Sequence, residues 1–422
     1  MYLAIAFCHP IILLLQCSVV SVGVVIDFED GAEGNGESFS IGSTSIRILH
    51  SATIPSKNET GVIPHYTPSQ IIQETCSFLE LHLPPCGYYS GVGIATFGPA
   101  GVDERSHDTY GKILPGTPKR EWRGVDLLTP IRKACGLEEM PKRVGFDTDV
   151  NAPAIAEFRH RSHDAERKKQ SSSKPLTSLS YVTVGTGVGV GLVVNSKPTH
   201  GLLHPEAGHI AVQPLDGDAF KGYSWGDKSP YRGKNTVEGI TSSVALTERY
   251  LQLYNGGGED VSSDEAQARE VLSTLPDAHP IWTHSANAIS NLCVSLLLIT
   301  SCQKIVIGGG IMKRKMLFGL VRKQVWNLLN GYLDSVNELS DESKLDEIIV
   351  ESSWERIGSG LVGAFALALE ARDGEEETTR DGSTAQEERE KREFASGVLA
   401  GIGLSFGCML ISSLFARMHT KR

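Results

Sequence analysis

Two aspartates lie close together in residues 145–152, which read GFDTDVNA. A short apolar run ends at this segment and helix-like spacing begins at Asn151, so Asp149 stands at a strand–helix junction. Aspartate is common at a helix N-cap, and one interpretation is that Asp149 only caps the helix. In the other interpretation Asp149 is a general base, a carboxylate that accepts the proton of a substrate hydroxyl.

A second polar cluster, His204 to His209, reads HPEAGH and places two imidazoles and one carboxylate within six residues. These side chains alone make a poor metal-ligand set, because structural zinc sites usually have four Cys or His ligands. The alternative is hydrogen bonding to a polyhydroxylated substrate, for which Glu206 and His209 provide suitable acceptors and donors.

Glycine-rich runs follow the strand-like segments at three places, Gly31–Ser38, Gly185–Gly191 and Gly308–Gly310. Without a Cβ, backbone N–H groups can approach phosphate oxygens closely. None of the three is a Walker A loop, and dinucleotide-binding spacing fits poorly. Three such turns in two halves of the chain suggest one nucleotide held between two domains.

The elements that must position these residues alternate between strand-like and helix-like, which predicts an α/β protein. At 422 residues the chain suits two domains, and its net charge of −10 argues against nucleic acid as a partner. We expect an N-terminal α/β domain at 27–150, a C-terminal α/β domain at 151–355, and a helix at 356–372 that returns to the first domain.

The two ends differ from this middle part. Residues 1–26 contain no Lys, Arg, Asp or Glu and fit either a signal or anchor segment or a buried strand. Residues 394–416 are uncharged and long enough for a transmembrane helix, and an acidic linker at 373–393 precedes them. The alternative for 394–416 is a soluble apolar helix docked on the body of the protein, but we expect a membrane anchor.

In their order along the chain, these motifs resemble those of the ROK sugar kinases, and within them the bacterial-type fructokinases. The motifs are Gly98-Pro99, Thr117-Pro118-Lys119, Thr148–Asn151, Gly185–Gly191, His204–His209 and Gly308–Gly310. The resemblance extends from about residue 31 to residue 370. It implies a two-domain actin-like ATPase fold of the ribonuclease H-like type, with sugar and ATP in the cleft.

The resemblance also implies roles for individual residues. Asp149 matches the catalytic base that takes the proton from the sugar 6-hydroxyl, and Asn151 lies in the same motif. Glu206 and His209 match a sugar-contacting pair, and Glu238 stands where the family has another sugar-contacting glutamate. The nucleotide-binding positions it implies are Gly34, Gly36, Gly185, Thr186, Gly187, Gly189, Gly308, Gly309 and Gly310.

The sequence departs from the family pattern at two places. The first phosphate loop of the family reads roughly Gly-Gly-Thr-Lys, whereas residues 35–38 here read NGES, so Glu37 would face an anionic phosphate. The family usually holds a structural zinc with Cys and His, but Ser229, Arg232 and Thr236 occupy the probable ligand positions. We therefore expect no zinc, and a loop at 216–235 held by aromatic packing of Phe220, Tyr223, Trp225 and Tyr231.

The resulting expectation is a hexose kinase that uses ATP and Mg²⁺, with fructose as the favoured substrate. Alternatives are a kinase for glucose, mannose or an N-acetylated amino sugar, and a catalytically weak sugar-binding regulator. The resemblance implies a homodimer. The C-terminal run predicts a membrane-anchored protein whose kinase domain faces the cytosol or an ATP-containing organelle interior.

Overall fold

Two β-sheets with helices packed on them make up the described part of the chain. The computed structural model describes residues 11–15, 19–28, 37–55, 66–167, 175–254, 265–333, 339–354 and 357–374. Both sheets belong to one compact unit, Met1–Arg372.

The first sheet has six strands in the order β3-β4-β2-β1-β5-β6. Its strands are β1 Ile11–Leu15, β2 Val19–Phe28, β3 Ser38–Ile41, β4 Thr44–Pro55, β5 Val92–Thr96 and β6 Val144–Thr148. β1, β5 and β6 run parallel, and Thr96 pairs with Thr148 at the end of β5 and β6. The segments that follow these two strands therefore start at the same edge of the sheet.

The second sheet has five strands in the order β11-β10-β7-β8-β9. Its strands are β7 Leu179–Val184, β8 Val188–Val194, β9 Lys197–Pro198, β10 Lys304–Gly308 and β11 Ile349–Glu351. β7 and β8 form an antiparallel hairpin, while β10 runs parallel to β7. The carboxyl end of β10 therefore lies beside the hairpin turn.

Helices and strands alternate from β4 to β7, as the sequence pattern predicts. They are α1 Pro68–Leu81, α2 Leu128–Ala134, α3 Asn151–Arg167, α4 Val237–Thr241, α5 Ser243–Leu253, α6 Glu265–Thr274, α7 Ile281–Thr300, α8 Met316–Leu329, α9 Leu345–Ile348 and α10 at 359–374. α1 shows why a helix starts where it does. Thr67 accepts the backbone N–H of Gln70 and Gln70 reaches back to Thr67, which is a capping box.

The contact between α10 and the first sheet depends on glycine. A Cβ at Gly93 in β5 would lie 1.9 Å from the backbone oxygen of Ala364, and one at Gly145 in β6 would lie 2.8 Å from the backbone oxygen of Leu367. Alanines on the facing side of α10, including Ala364 and Ala368, are fully buried. The helix and the sheet thus approach backbone to backbone.

The expectation of a membrane-anchored protein is wrong for the part of the chain that the structure describes, because no helix there is both long and apolar enough to cross a bilayer. The longest of the described helices, α7, carries Asn287 and Ser290 on its buried side, where both side chains donate hydrogen bonds to protein carbonyls. Residues 394–416, from which that expectation came, lie outside the described residues, as do Gly34 and Gly36.

We predict that Gly93→Ala destabilises the protein by about 1–3 kcal/mol, because an added methyl group overpacks the contact with α10. Gly319→Ala is the matched control, since its Cβ would meet nothing within 4 Å in a helix of ordinary φ. That change should stabilise the protein by roughly 0.5–1 kcal/mol. Urea unfolding of both variants measures the difference, and equal midpoints would contradict the packing argument.

Candidate functional site

Asp149 begins the segment that follows β6, and its backbone N–H donates to the carbonyl of Thr96 at the end of β5, 2.8 Å away. Its side chain is half-buried. Burial raises the pKa of Asp149 to about 6, against the opposing effects of the positive charge of Lys119 and of its own backbone N–H. A carboxyl group with such a pKa is poised to accept a proton near neutral pH.

The hydrogen-bonding cap of α3 comes from a neighbouring residue. Thr148 Oγ1 accepts the backbone N–H of Asn151 at 3.1 Å, at the first residue of the helix. Thr148 thus provides a hydrogen bond at the start of α3, which favours the general-base interpretation of Asp149 over the capping interpretation.

Asp147, which sequence reasoning did not select, organises the residues around the base. Its buried carboxylate accepts from the backbone N–H of Thr148 at 2.7 Å and from Asn151 Nδ2 at 3.0 Å. His200 Nε2 donates to the other carboxylate oxygen at 2.8 Å. This hydrogen bond raises the pKa of His200 against the opposing effect of its burial. Asn151 is thereby fixed, and its Oδ1 has no partner among the described residues.

His204 joins the segment after β9 to the end of β5. The backbone N–H of Ala100 donates to His204 Nε2 at 3.2 Å, and Nδ1 lies 3.3 Å from the carbonyl of Pro205. Burial lowers the pKa of His204, so the ring is neutral and carries its proton on Nδ1. A Cβ at Gly98 would lie 2.7 Å from the His204 ring, which explains the glycine at the Gly98-Pro99 turn.

Glu206, His209 and Glu238 form the cluster that the resemblance implied. His209 lies between the two carboxylates, 3.9 Å from an oxygen of each, which is longer than a hydrogen bond. Burial and the charges of Glu238 and Asp149 raise the pKa of Glu206 to about 7, although water screens a side chain that is 40% exposed. Burial also raises the pKa of Glu238.

Glu238 connects this cluster to the β7–β8 hairpin. It lies in the first turn of α4, which Thr236 caps, and its Oε2 accepts the backbone N–H of Val188 at 3.0 Å. A Cβ at Gly187 would lie 2.7 Å from the same oxygen. The structure thus brings Asp149, Glu206, His209 and Glu238 into one electrostatically coupled group beside a glycine turn.

Two of the glycine runs meet at the end of the second sheet. Gly309 has a φ of +96°, and a Cβ there would lie 2.4 Å from the backbone oxygen of Val184, directly before the hairpin turn. Next to this contact, a Cβ at Gly185 or Gly310 would meet nothing within 4 Å in the described part of the chain. Open space lined by backbone is what phosphate oxygens require.

At Gly189 and Gly308, close packing is enough to explain why the residue is a glycine. A Cβ at Gly189 would lie 2.5 Å from Val150 Cγ1, and one at Gly308 would lie 3.0 Å from Tyr181 Oη. Gly187 and Thr186 belong to the hairpin turn and are partly exposed. The nucleotide-binding roles of all these residues stay predictions.

The residues at the family's zinc positions do not fit a zinc ion. Thr236 Oγ1 accepts the backbone N–H of Gly239 at 3.0 Å, and neither hydroxyl nor guanidinium groups are zinc ligands. Within the described residues no group of three or more His, Cys, Asp or Glu side chains is placed to hold a metal ion. Aromatic packing holds the loop only in part, since Phe220 is buried but Tyr231 is 66% exposed.

A half-buried aspartate at the end of one sheet and open glycine turns at the end of the other are an arrangement that suits phosphoryl transfer. A sequence model of the ROK family matches residues 38–371, and the chain belongs to that family. It is therefore an ATP-dependent sugar kinase with an actin-like ATPase fold.

Individual relatives agree with this assignment. Over 311 residues the chain is 32% identical to a fructokinase of Zymomonas mobilis, covering 73% of this chain and 88% of that protein. Over 287 residues it is 27% identical to an N-acetylmannosamine kinase of Vibrio vulnificus, covering 66% and 80%. A ROK hexokinase from Thermus thermophilus shares the fold with a TM-score of 0.56 at 17% identity, covering 87% of this chain and 99% of that one.

The raised pKa of Asp149 predicts a pH dependence. If Asp149 is the base, kcat/KM for the sugar should fall about tenfold per pH unit below pH 6, because the protonated carboxyl cannot accept a proton. Lys119→Met should move this acid limb to higher pH, since Lys119 lowers the pKa of Asp149. If the acid limb of the kcat/KM profile does not move in Lys119→Met, another group titrates there. The pH profile of Glu206→Gln shows whether that group is Glu206.

Proposed function

We propose that this sugar kinase transfers the γ-phosphoryl group of ATP to the 6-hydroxyl of a hexose, with fructose as the favoured substrate. The observation that carries the proposal is the position of Asp149. Its carboxylate is half-buried, has a pKa of about 6, and is electrostatically coupled to Glu206 in the polar cluster.

In this proposal Asp149 accepts the hydroxyl proton as the oxygen attacks the phosphorus. Phosphoryl transfer needs mainly positioning and charge stabilisation, so the remaining residues hold the substrates. Asn151, fixed by Asp147, offers its unpartnered Oδ1 as an acceptor for a sugar hydroxyl. Glu206, His209 and Glu238 offer further acceptors and donors, as vicinal hydroxyls require.

The nucleotide phosphates would lie along the open glycine turns at Gly185–Gly187 and Gly309–Gly310, with Gly34 and Gly36 as a third contact that lies outside the described residues. Glu37 and Ser38, which depart from the family's first phosphate loop, are both exposed. Mg²⁺ would neutralise charge on the phosphates, and it needs only one or two carboxylates of the kind present at this edge.

The names of the relatives support the choice of sugar. Fructose is favoured because the Zymomonas mobilis relative is a fructokinase, and N-acetylmannosamine is the second candidate because the Vibrio vulnificus relative is named for it. A coupled assay of ADP release with fructose, glucose, mannose and N-acetylmannosamine tests this choice. Absence of turnover with every hexose, combined with measurable sugar binding, would favour a sugar-binding regulator. The expected homodimer stays a prediction for analytical ultracentrifugation.

Asp149→Asn tests the proposed base. The substitution keeps the shape of the side chain and removes the basic carboxylate, so kcat should fall by roughly 10²–10⁴. The melting temperature should stay equal or rise, because a carboxylate whose pKa is raised by burial destabilises the folded state at neutral pH. Steady-state kinetics and thermal melting measure the two effects, and a folded variant with normal turnover would refute the mechanism.

Glu206→Gln provides the contrast with Asp149→Asn. As a sugar contact, Glu206 should affect the sugar KM more than kcat, because its hydrogen bonds exist in both the ground state and the transition state. Replacing one charged hydrogen-bond partner should raise the sugar KM by roughly tenfold or more. A large loss of kcat with an unchanged KM would assign Glu206 to the chemical step.

A further inference from the structure

A buried ion pair joins the loop at the family's zinc position to helix α5. Arg249 Nη1 and Nη2 donate to the two carboxylate oxygens of Asp218, each at 2.8 Å. The side chains are 0% and 3% exposed, and the Arg249 guanidinium stacks on the Phe220 ring 4.7 Å from its centroid. Bidentate geometry fixes both the position and the orientation of the two groups.

The surroundings of the pair are built to hold it. Burial would raise the pKa of Asp218, but the hydrogen bonds and charge of Arg249 outweigh that effect and lower it. The backbone N–H of Phe220 donates to Asp218 Oδ1 at 3.1 Å, and His284 Nδ1 lies 3.1 Å from Oδ2. Asp218 is therefore an ionised carboxylate with a partner for each oxygen.

From Asp218 the loop leads directly to Glu238, which belongs to the polar cluster of Glu206, His209 and Glu238. Asn235 donates its backbone N–H to the carbonyl of Lys221 at 2.7 Å, and Tyr223 donates to the carbonyl of Gly239 at 2.8 Å. The Trp225 side chain lies close enough to Glu238 to lower the pKa of that carboxyl, against the larger opposing effect of burial. A displacement of the loop at Asp218 would thus move residues that contact Glu238 and the adjacent Gly239.

The other partner, Arg249, lies on α5. The first residue of this helix, Ser243, contacts the β7–β8 hairpin turn. The backbone N–H of Ser243 donates to the carbonyl of Gly185 in the hairpin turn at 2.7 Å. α5 is therefore anchored to the hairpin turn at its beginning and to the loop at Arg249, on either side of Glu238.

We infer that Asp218 and Arg249 are positioning residues that tie this loop to α5 and so hold Glu238 in place for the sugar, as a metal ion would. No zinc is required, because the fixed point of the loop is the ion pair. The sugar-binding part of the inference rests on the proposed function, whereas the anchoring of the loop does not.

Two variants test the pair. Asp218→Asn leaves the Arg249 charge buried without its counter-charge, and the double variant Asp218→Leu/Arg249→Met removes both charges so that neither is left unpaired. We expect trypsin to cleave the loop, at Lys228 or Lys234, at least roughly tenfold faster in both variants, since several hydrogen bonds are lost. The sugar KM should rise by a similar factor while kcat and the ATP KM change less than about twofold.

Asp346→Asn is the matched control, because Asp346 is 64% exposed in its ion pair with Arg322 and is far from the loop in sequence. That variant should match the wild type in trypsin resistance and in the sugar KM, since exposed ion pairs contribute little. The wild-type loop should also keep its trypsin resistance in a strong chelator, and elemental analysis should find no stoichiometric zinc.

The inference is overturned if the double variant keeps wild-type trypsin resistance and sugar KM. It is also overturned if the chelator alone makes the wild-type loop sensitive to trypsin. Failure of the proposed function gives a different result: no hexose is phosphorylated by the wild type, while the proteolysis comparison still measures the role of the pair.

Discussion

The site depends on keeping several carboxylates together in a partly dry environment. Asp149, Glu206 and Glu238 belong to one interacting group in which burial disfavours the ionised form of each, and the buried Asp147 lies two residues before Asp149. The protein offsets the cost of burying carboxylates with hydrogen-bond donors or a positive charge at three of the four. Asp147 has three donors, Asp149 has the charge of Lys119, and Glu238 has the backbone N–H of Val188.

The carboxylates differ in how many donors offset the cost of their burial, and that difference matches their proposed roles. Asp147 is fully satisfied and holds Asn151 and His200 in place, as expected of a group that only positions others. Asp149 has fewer donors and a pKa raised to about 6, which leaves it with proton affinity. A better-satisfied Asp149 would be a weaker base, so its incomplete compensation is a condition of the proposed chemistry.

Local patterns in the sequence were sufficient for the parts of the site that lie within one segment. The strand, the junction and the helix around Asp149 follow from apolar spacing, and the α/β alternation follows in the same way. The ROK membership and the kinase activity follow from the order of the motifs. These features depend on residues close in sequence, where spacing and structure correspond directly.

Contacts between distant segments were not predictable in this way. The bond between His200 and Asp147 joins residues 53 positions apart, and the pair of Arg249 and Asp218 joins residues 31 positions apart. Nothing in the local composition of either partner distinguishes it from a surface charge. Likewise, the sequence around Gly189 is like that around a phosphate-binding glycine. The structure gives a different reason for the glycine, because a Cβ there would collide with the Val150 side chain. The membrane expectation came from the uncharged run at 394–416 and the acidic linker before it, and residues 394–416 lie outside the described residues.

The loop that bears the departure from the family's zinc pattern shows how one constraint can be met by different chemistry. A loop of this length needs a fixed point near its start, because its backbone would otherwise have to be ordered by weak contacts alone. A metal site supplies such a point with side chains from the loop itself. Here Phe220 is buried and Tyr231 is exposed, so the aromatic residues do not provide it together. The bidentate pair supplies the fixed point from outside the loop, on α5, and that helix also begins at the hairpin turn. Anchoring the loop to α5 therefore ties Glu238 and the hairpin turn to one rigid element, a link that ligands confined to the loop would not make.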